Sequence, residues 1–111
     1  MGERYVVKAT RQAQEQLREI VDYVSSTLQA PEAAFHLLDA LETAMTSLSR
    51  FPDRIALTEE EPWHSRRIHK MPVQNFIVYF WIDKAAHRVQ VTAVVYGRRD
   101  QTRQLAQMEM E

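Results

Sequence analysis

The stretch Phe76-Ile77-Val78-Tyr79-Phe80-Trp81-Ile82 constrains the fold most, because as a strand it is apolar on both sides. Successive strand side chains point to opposite faces. Ile77, Tyr79 and Trp81 therefore share one face, and Phe76, Val78, Phe80 and Ile82 share the other. Such a strand belongs in the middle of a sheet and needs cover on both sides. Its neighbours are further strand candidates at about 66–71 and 88–96. Pro72 and the turn Asp83 to His87 separate the three runs, and connections this short predict an antiparallel meander. In the last run, strict alternation puts Val89, Val91, Ala93 and Val95 on the core side. Gln90, Thr92 and Tyr96 then point away.

The first half of the chain supplies the cover. Arg4 to Lys8 reads as a short strand through Tyr5, Val6 and Val7. Thr10 is placed to cap a helix whose apolar stripe is Ala13, Leu17, Ile20, Val21, Val24 and Leu28. Pro31 suits the first turn of a second helix, with Ala34, Leu37, Leu38, Leu41, Ala44, Met45 and Leu48 on one face. The short joint between them predicts an antiparallel hairpin. Phe51-Pro52-Asp53 ends the second helix, and a polar, acidic loop follows over 53–64. Residues 101–111 read as a short helix or a frayed tail. The expected fold class is α+β: an N-terminal strand, an antiparallel helical hairpin, then a three-stranded antiparallel meander. Two helices cover one sheet face only. The other face is expected to be open and to carry Arg67, His69, Thr92 and Tyr96. The apolar side chains Phe76, Val78 and Phe80 are expected there too, as a floor for a partner.

Composition narrows the class. At 111 residues the chain is read as one domain, 1–111, with a core large enough to fold alone. It has no cysteine, which excludes disulfides and thiolate metal sites and suits a reducing cytoplasm. The start, MGERYVVKAT, lacks an apolar signal core, and no apolar run is long enough to span a membrane, so no membrane partner is expected. The formal net charge of −1 argues against strong non-specific nucleic-acid binding. Cations are instead concentrated in two clusters, Arg66-Arg67-Ile68-His69-Lys70 and Gly97-Arg98-Arg99-Asp100 with Arg103 beyond. Concentrated cations at strand ends suit an anion such as nucleic-acid phosphate.

The ordered set of these features resembles the RelE/ParE toxin superfamily over roughly residues 4–100. The residues that carry the likeness begin with Ala13, Leu17, Ile20 and Tyr23. They continue through Ala34, Leu41, Leu48, Pro52 and Arg67. The set closes with Asn75-Phe76-Ile77-Val78-Tyr79 and Val94-Val95-Tyr96-Gly97-Arg98-Arg99-Asp100. The resemblance implies the toxin of a type II toxin–antitoxin module, with a cognate antitoxin as partner. Some members cleave messenger RNA on the ribosome; others poison DNA gyrase. Ribosome-dependent cleavage is the leading expectation. Gyrase inhibition, or a degenerate member that retains only antitoxin binding, is the alternative. Cleaving relatives place basic groups where Arg67, His69 and Arg98 or Arg99 stand. Two departures weigh against cleavage: Phe76 replaces an arginine of some cleaving members, and no Tyr or His follows Arg99.

Cleavage by 2′-hydroxyl attack needs a base, an acid and cations for the developing charge. The expected catalytic residues are Arg67, His69 and Arg99, with His69 moving protons and the arginines forking onto phosphate. Arg66, Lys70, Arg98 and Arg103 are the expected nucleic-acid contacts. Phe76, Val78 and Phe80 are expected to meet the antitoxin. His64 and Glu59 to Glu61 are further base candidates beside their simpler reading as a solvated loop. Trp63 is read as a loop anchor or partner contact, and Asp100 as a structural partner for a neighbouring arginine. No spacing suggests a metal site, and no cofactor is expected.

Overall fold

The computed structural model describes residues 4–97. Strand β1 spans Val6–Ala9 and leads into helix α1, Arg11–Asp22. The Thr10 hydroxyl caps this helix, accepting from the Ala13 N–H at 3.1 Å. The same hydroxyl donates to the Thr92 carbonyl at 3.3 Å, so the cap also pins the helix start to the sheet. α1 then widens into a π-helical turn, Tyr23–Thr27, with the Leu28 N–H donating to the Tyr23 carbonyl at 3.0 Å. Helix α2 runs Pro31–Thr46, with its proline in the first turn as expected. No described helix is long and apolar enough to cross a membrane.

Strands β2 (His69–Val73), β3 (Phe76–Asp83) and β4 (Arg88–Tyr96) form the expected meander. β1 joins it in parallel with β4, giving a four-stranded mixed sheet of order β1-β4-β3-β2 in an α+β fold. The first meander strand, expected at 66–71, starts three residues later. Residues 60–67 form a helical turn instead. Its bonds include Arg66 N–H to the Pro62 carbonyl at 3.1 Å and Ile68 N–H to the Trp63 carbonyl at 3.0 Å.

That turn changes the second face of the sheet. It carries Trp63 and Ile68 onto Ile77, Tyr79, Ala93 and Val95, forming a second buried cluster. The expectation of an open face is therefore corrected: the loop read as polar supplies a tryptophan lid. The main core lies on the helix side. There Ala13, Leu37, Leu41 and Leu48 meet Val78, Phe80, Val89, Val91 and Val94. Leu41 is fully buried, and a side chain of its size contributes about 1.5–3 kcal/mol by leaving water.

A β-bulge breaks the alternation expected for β4. Tyr79 pairs with Ala93 and Phe80 with Val91, which leaves Thr92 as an extra residue. Val89 and Val91 face the helices before the bulge, Val94 faces them after it, and Ala93 and Val95 turn to the tryptophan side. The buried Thr92 hydroxyl donates to the Tyr79 carbonyl at 3.2 Å, which gives the polar group a partner at the break.

Both outer edges of the sheet are occupied in part. On β1, the Tyr5 N–H donates to the Ser49 carbonyl at 2.9 Å, and Gln14 donates to the Ala9 carbonyl at 2.9 Å. On β2, Ala56 and Thr58 pair with Lys70 and Ile68, and Pro72 has no N–H to offer.

Candidate functional site

The sequence predicts one cationic face; the structure separates its members. Arg67 lies outside β2, at the end of the helical turn, with φ 60°. Its neighbours identify the cause. The Ile68 N–H reaches back five residues to Trp63, and Ile68 and Trp63 pack in the same cluster. This is the Schellman pattern, whose left-handed position usually holds glycine. Here an arginine occupies it, with its side chain exposed.

His69 is not on the same face in the open. It is only 4% exposed and pairs with Phe80, so it lies on the helix side of β2. Its ring stacks on Phe80 with centroids 4.8 Å apart and planes 7° from parallel. Nδ1 lies 2.7 Å from the Ile55 carbonyl, which can only accept, so Nδ1 carries the proton. Burial pushes the His69 pKa below its ordinary value, against the opposing pull of the Ile55 carbonyl and Asp53. The ring is neutral at pH 7 and leaves Nε2 as its acceptor.

The other expected residues also divide. The Arg66 guanidinium sits 5.3 Å from the Trp63 ring centroid and packs on the lid. Lys70 is half-buried opposite Tyr79. Tyr79 itself is pushed up to about 12, chiefly by burial and then by the Glu60 charge, so it stays protonated at neutral pH. His64 is tied to the Thr58 carbonyl at 3.0 Å. Glu61 accepts from the Ser65 hydroxyl and N–H, which pull its pKa down. Arg98, Arg99, Asp100 and Arg103 lie outside the described residues.

Val78 and Phe80, expected on an exposed floor, are 0% exposed beneath the helices. The parity of β3 is as read; the face assignment is reversed, because the hairpin covers the Phe76–Val78–Phe80 side. Phe76 alone of the three reaches accessible space. It is half-buried and packs edge-on against Tyr96, with centroids 5.5 Å apart.

Those two rings border a groove of about 970 Å³ between the hairpin tip and one end of the sheet. Ile20, Tyr23, Leu28 and Leu37 form its other wall, and Glu19 is the one charged residue among its described lining. Tyr23 and Leu28 are each 55% exposed. Sequence reasoning missed this groove. The available signal was length: the α1 stripe continues to Leu28, beyond what a four-residue β1 and the sheet end can cover.

A smaller pocket of about 370 Å³ lies at the opposite end of β3. Asp53, Arg67, His69, Trp81, Asp83 and Lys84 line it. Lys84 pairs with Asp53 at 3.5 Å, and Arg88 with Asp83 at 3.6 Å. Among the described residues no group of His, Asp and Glu is arranged to hold a metal ion.

With this geometry in hand, comparison decides the family. Residues 7–101 match the family described as the ParE toxin of the type II toxin–antitoxin system, parDE. The chain belongs to the ParE toxin family. It is therefore a toxin of a type II toxin–antitoxin system, within the RelE/ParE superfamily. No curated protein matches it. Among solved structures it is similar to a chain of the chromosomal ParDE system from P. aeruginosa. The two share 19% identity and a TM-score of 0.68, over 83% of this chain and 95% of that one. It is also similar to a chain of the RelBE2 toxin–antitoxin complex from Mycobacterium tuberculosis. There the identity is 19% and the TM-score 0.59, over 85% of this chain and 92% of that one. At such identities the structural likeness speaks for the toxin's fold.

Proposed function

We propose that this toxin acts by binding rather than cutting, with DNA gyrase as its target, and that its cognate antitoxin docks in the apolar groove. The observation that carries the binding mode is the closed second face of the sheet. A cleaving site needs a base, an acid and cations around one phosphate. Here that face is filled by Trp63, Ile68, Ile77 and Tyr79, while His69 is turned to the helix side. The ParE family match supports gyrase over the ribosome. The groove supports an antitoxin anchored by apolar side chains, because its described lining offers an apolar floor with a single carboxylate. Both structural relatives belong to toxin–antitoxin systems.

Ribosome-dependent messenger-RNA cleavage remains the second reading, on one observation: Arg67 and His69 border the same pocket. Induction in cells separates the two. The binding mode expects DNA breaks trapped with gyrase and intact messages by primer extension. Cut messages at ribosomes without trapped gyrase would overturn it. Cells that tolerate the protein without antitoxin and show neither lesion would leave antitoxin binding as its sole activity.

A further inference from the structure

Trp63 and Ile68 close the second face of the sheet over Ile77, Tyr79, Ala93 and Val95, but no β1 residue belongs to that cluster. The sequence of β1 shows what it presents there instead. Tyr5, Val7 and Ala9 turn to the main core, so Arg4, Val6 and Lys8 share the opposite face, and all three are exposed. Arg50 stands directly across from Arg4 in an isolated antiparallel bridge, and Arg88 is the partner of Val6 in the parallel ladder. Residues paired in this way share a face, so four cations surround one valine that is 57% exposed. Of the four, Arg88 alone has an ion-pair partner among the described residues, Asp83. Like charges set directly opposite each other are destabilising, and no described carboxylate relieves Arg4 and Arg50.

We propose that this face docks an acidic, extended polypeptide segment of a partner protein, with an apolar residue between two carboxylates. The period of the strand sets the pattern. Arg4 and Lys8 stand two residues either side of Val6, roughly 6.6 Å at the usual strand rise. An extended peptide repeats its own side chains at the same two-residue interval. Glutamate, leucine and glutamate at alternate positions therefore meet Arg4, Val6 and Lys8, in either chain direction, with Arg50 and Arg88 flanking. The carboxylates set encounter rate and register, and covering Val6 adds apolar burial. A nucleic-acid strand suits the patch less well. Its phosphates leave the central valine uncovered, and its bases stack on aromatic rings rather than on valine. The helical hairpin, residues 11–46, carries six carboxylates against two arginines and repels a longer polyanion. None of the five residues lines the apolar groove, so this proposal stands apart from the reading of that groove.

Fluorescence anisotropy of the full chain with a labelled peptide of that pattern tests the proposal, beside a peptide of equal composition whose glutamates are adjacent. The patterned peptide is expected to saturate one-to-one, and the control to bind at least ~5-fold more weakly because its charges miss the cations in register. Lys8→Glu should weaken the patterned peptide at least ~10-fold by like-charge repulsion. Val6→Thr, which keeps the shape and loses the apolar surface, should weaken it at least ~3-fold. Both sites are exposed, so the thermal midpoint should hardly move. Arg4→Glu should split the two readouts. The midpoint rises, because an opposite-charge pair replaces two arginines, while the peptide binds more weakly. Equal binding of the two peptides, no saturable binding, affinity unchanged in any of the three variants, or no rise in midpoint for Arg4→Glu would each overturn the proposal. So would a single-stranded oligonucleotide that displaces the peptide at lower concentration and binds Val6→Thr as it binds the parent, which would assign the face to nucleic acid.

Discussion

The two ends of β3 present opposite chemistry from one continuous strand. At the start, Phe76 leans on Tyr96 beside a large groove with one carboxylate in its described lining. At the finish, Trp81 to Lys84 border a small pocket edged by two cations and two carboxylates. The contrast follows from what the rest of the fold can reach. The tip of the helical hairpin stands at the first end, where Tyr23 and Leu28 are more than half exposed and wall the groove. The second end is closed by the chain itself, through the 60–67 turn and the Pro52–Arg54 turn. An apolar overhang is stabilised by a second molecule; a charged corner is already solvated. The difference sets an apolar end and a charged end apart within one small domain.

The two ends rest on one main core, and emptying part of it should destabilise both. Phe80 is fully buried, packs in the main core and stacks on His69. Phe80→Ala should lower stability by about 3–5 kcal/mol, read by circular dichroism melting. A variant that melts like the parent would show that the ends do not depend on a common core. A smaller change should divide them. Tyr23→Asp puts a carboxylate into the exposed wall of the groove, beside Glu19. It should reduce antitoxin affinity by about 2 kcal/mol, or ~30-fold, by calorimetry, with the melting midpoint nearly unchanged. Equal antitoxin affinity in the variant would move the partner off the groove.

The charged end alone should respond to mild acid. His69 is held below its ordinary pKa, so the unfolded chain takes up a proton before the native protein does. Its contribution to stability is thus present above about pH 6.5 and is lost as pH falls from there toward the depressed native value. Denaturant melts at stepped pH should show this fall, and His69→Gln should flatten it. A slope that survives the substitution would assign the effect elsewhere. The smallest effects concern the backbone. Arg67 and Gln74 both have positive φ. Glycine there relieves about 1–2 kcal/mol of steric cost and loses about 0.5–1 in chain entropy, leaving a gain of about 0.5–1 kcal/mol per site. Gln74→Gly, at the tip of the β2–β3 turn and in the lining of the groove, should raise stability and leave the charged end intact, whereas Arg67→Gly should raise stability and leave the groove intact.

Much of the fold was legible because its signals are periodic. The stripes from Ala13 and from Ala34 define the helices, and the parity of β3 comes directly from its sequence. The site was less legible because three aperiodic features intervene. The Thr92 bulge reverses the faces of β4 halfway along. Strict alternation therefore puts Ala93 and Val95 with Val89, when they belong to the other cluster. The turn ending at Arg67 has no glycine to announce it. This chain contains two glycines, yet among the described residues five non-glycine positions adopt positive φ: Gln29, Phe51, Arg67, Gln74 and His87. Trp63 sits in a stretch dominated by Glu59-Glu60-Glu61-Pro62, and composition alone reads that stretch as solvated. Which face of β3 the helices cover, and hence whether Val78 is floor or core, is a tertiary choice that parity does not encode.

The closed edges of the sheet bear on how such a toxin is released. A partner that added a strand would share a ladder of backbone bonds, indifferent to side chains and slow to part. With β1 flanked at its ends by Ser49 and Gln14, and the start of β2 paired with Ala56 and Thr58, that mode finds fewer open groups. On the proposed reading, an antitoxin would grip through side chains in the groove, one anchor at a time. Each anchor lost from such a segment would weaken the hold separately, so affinity would fall in steps rather than all at once.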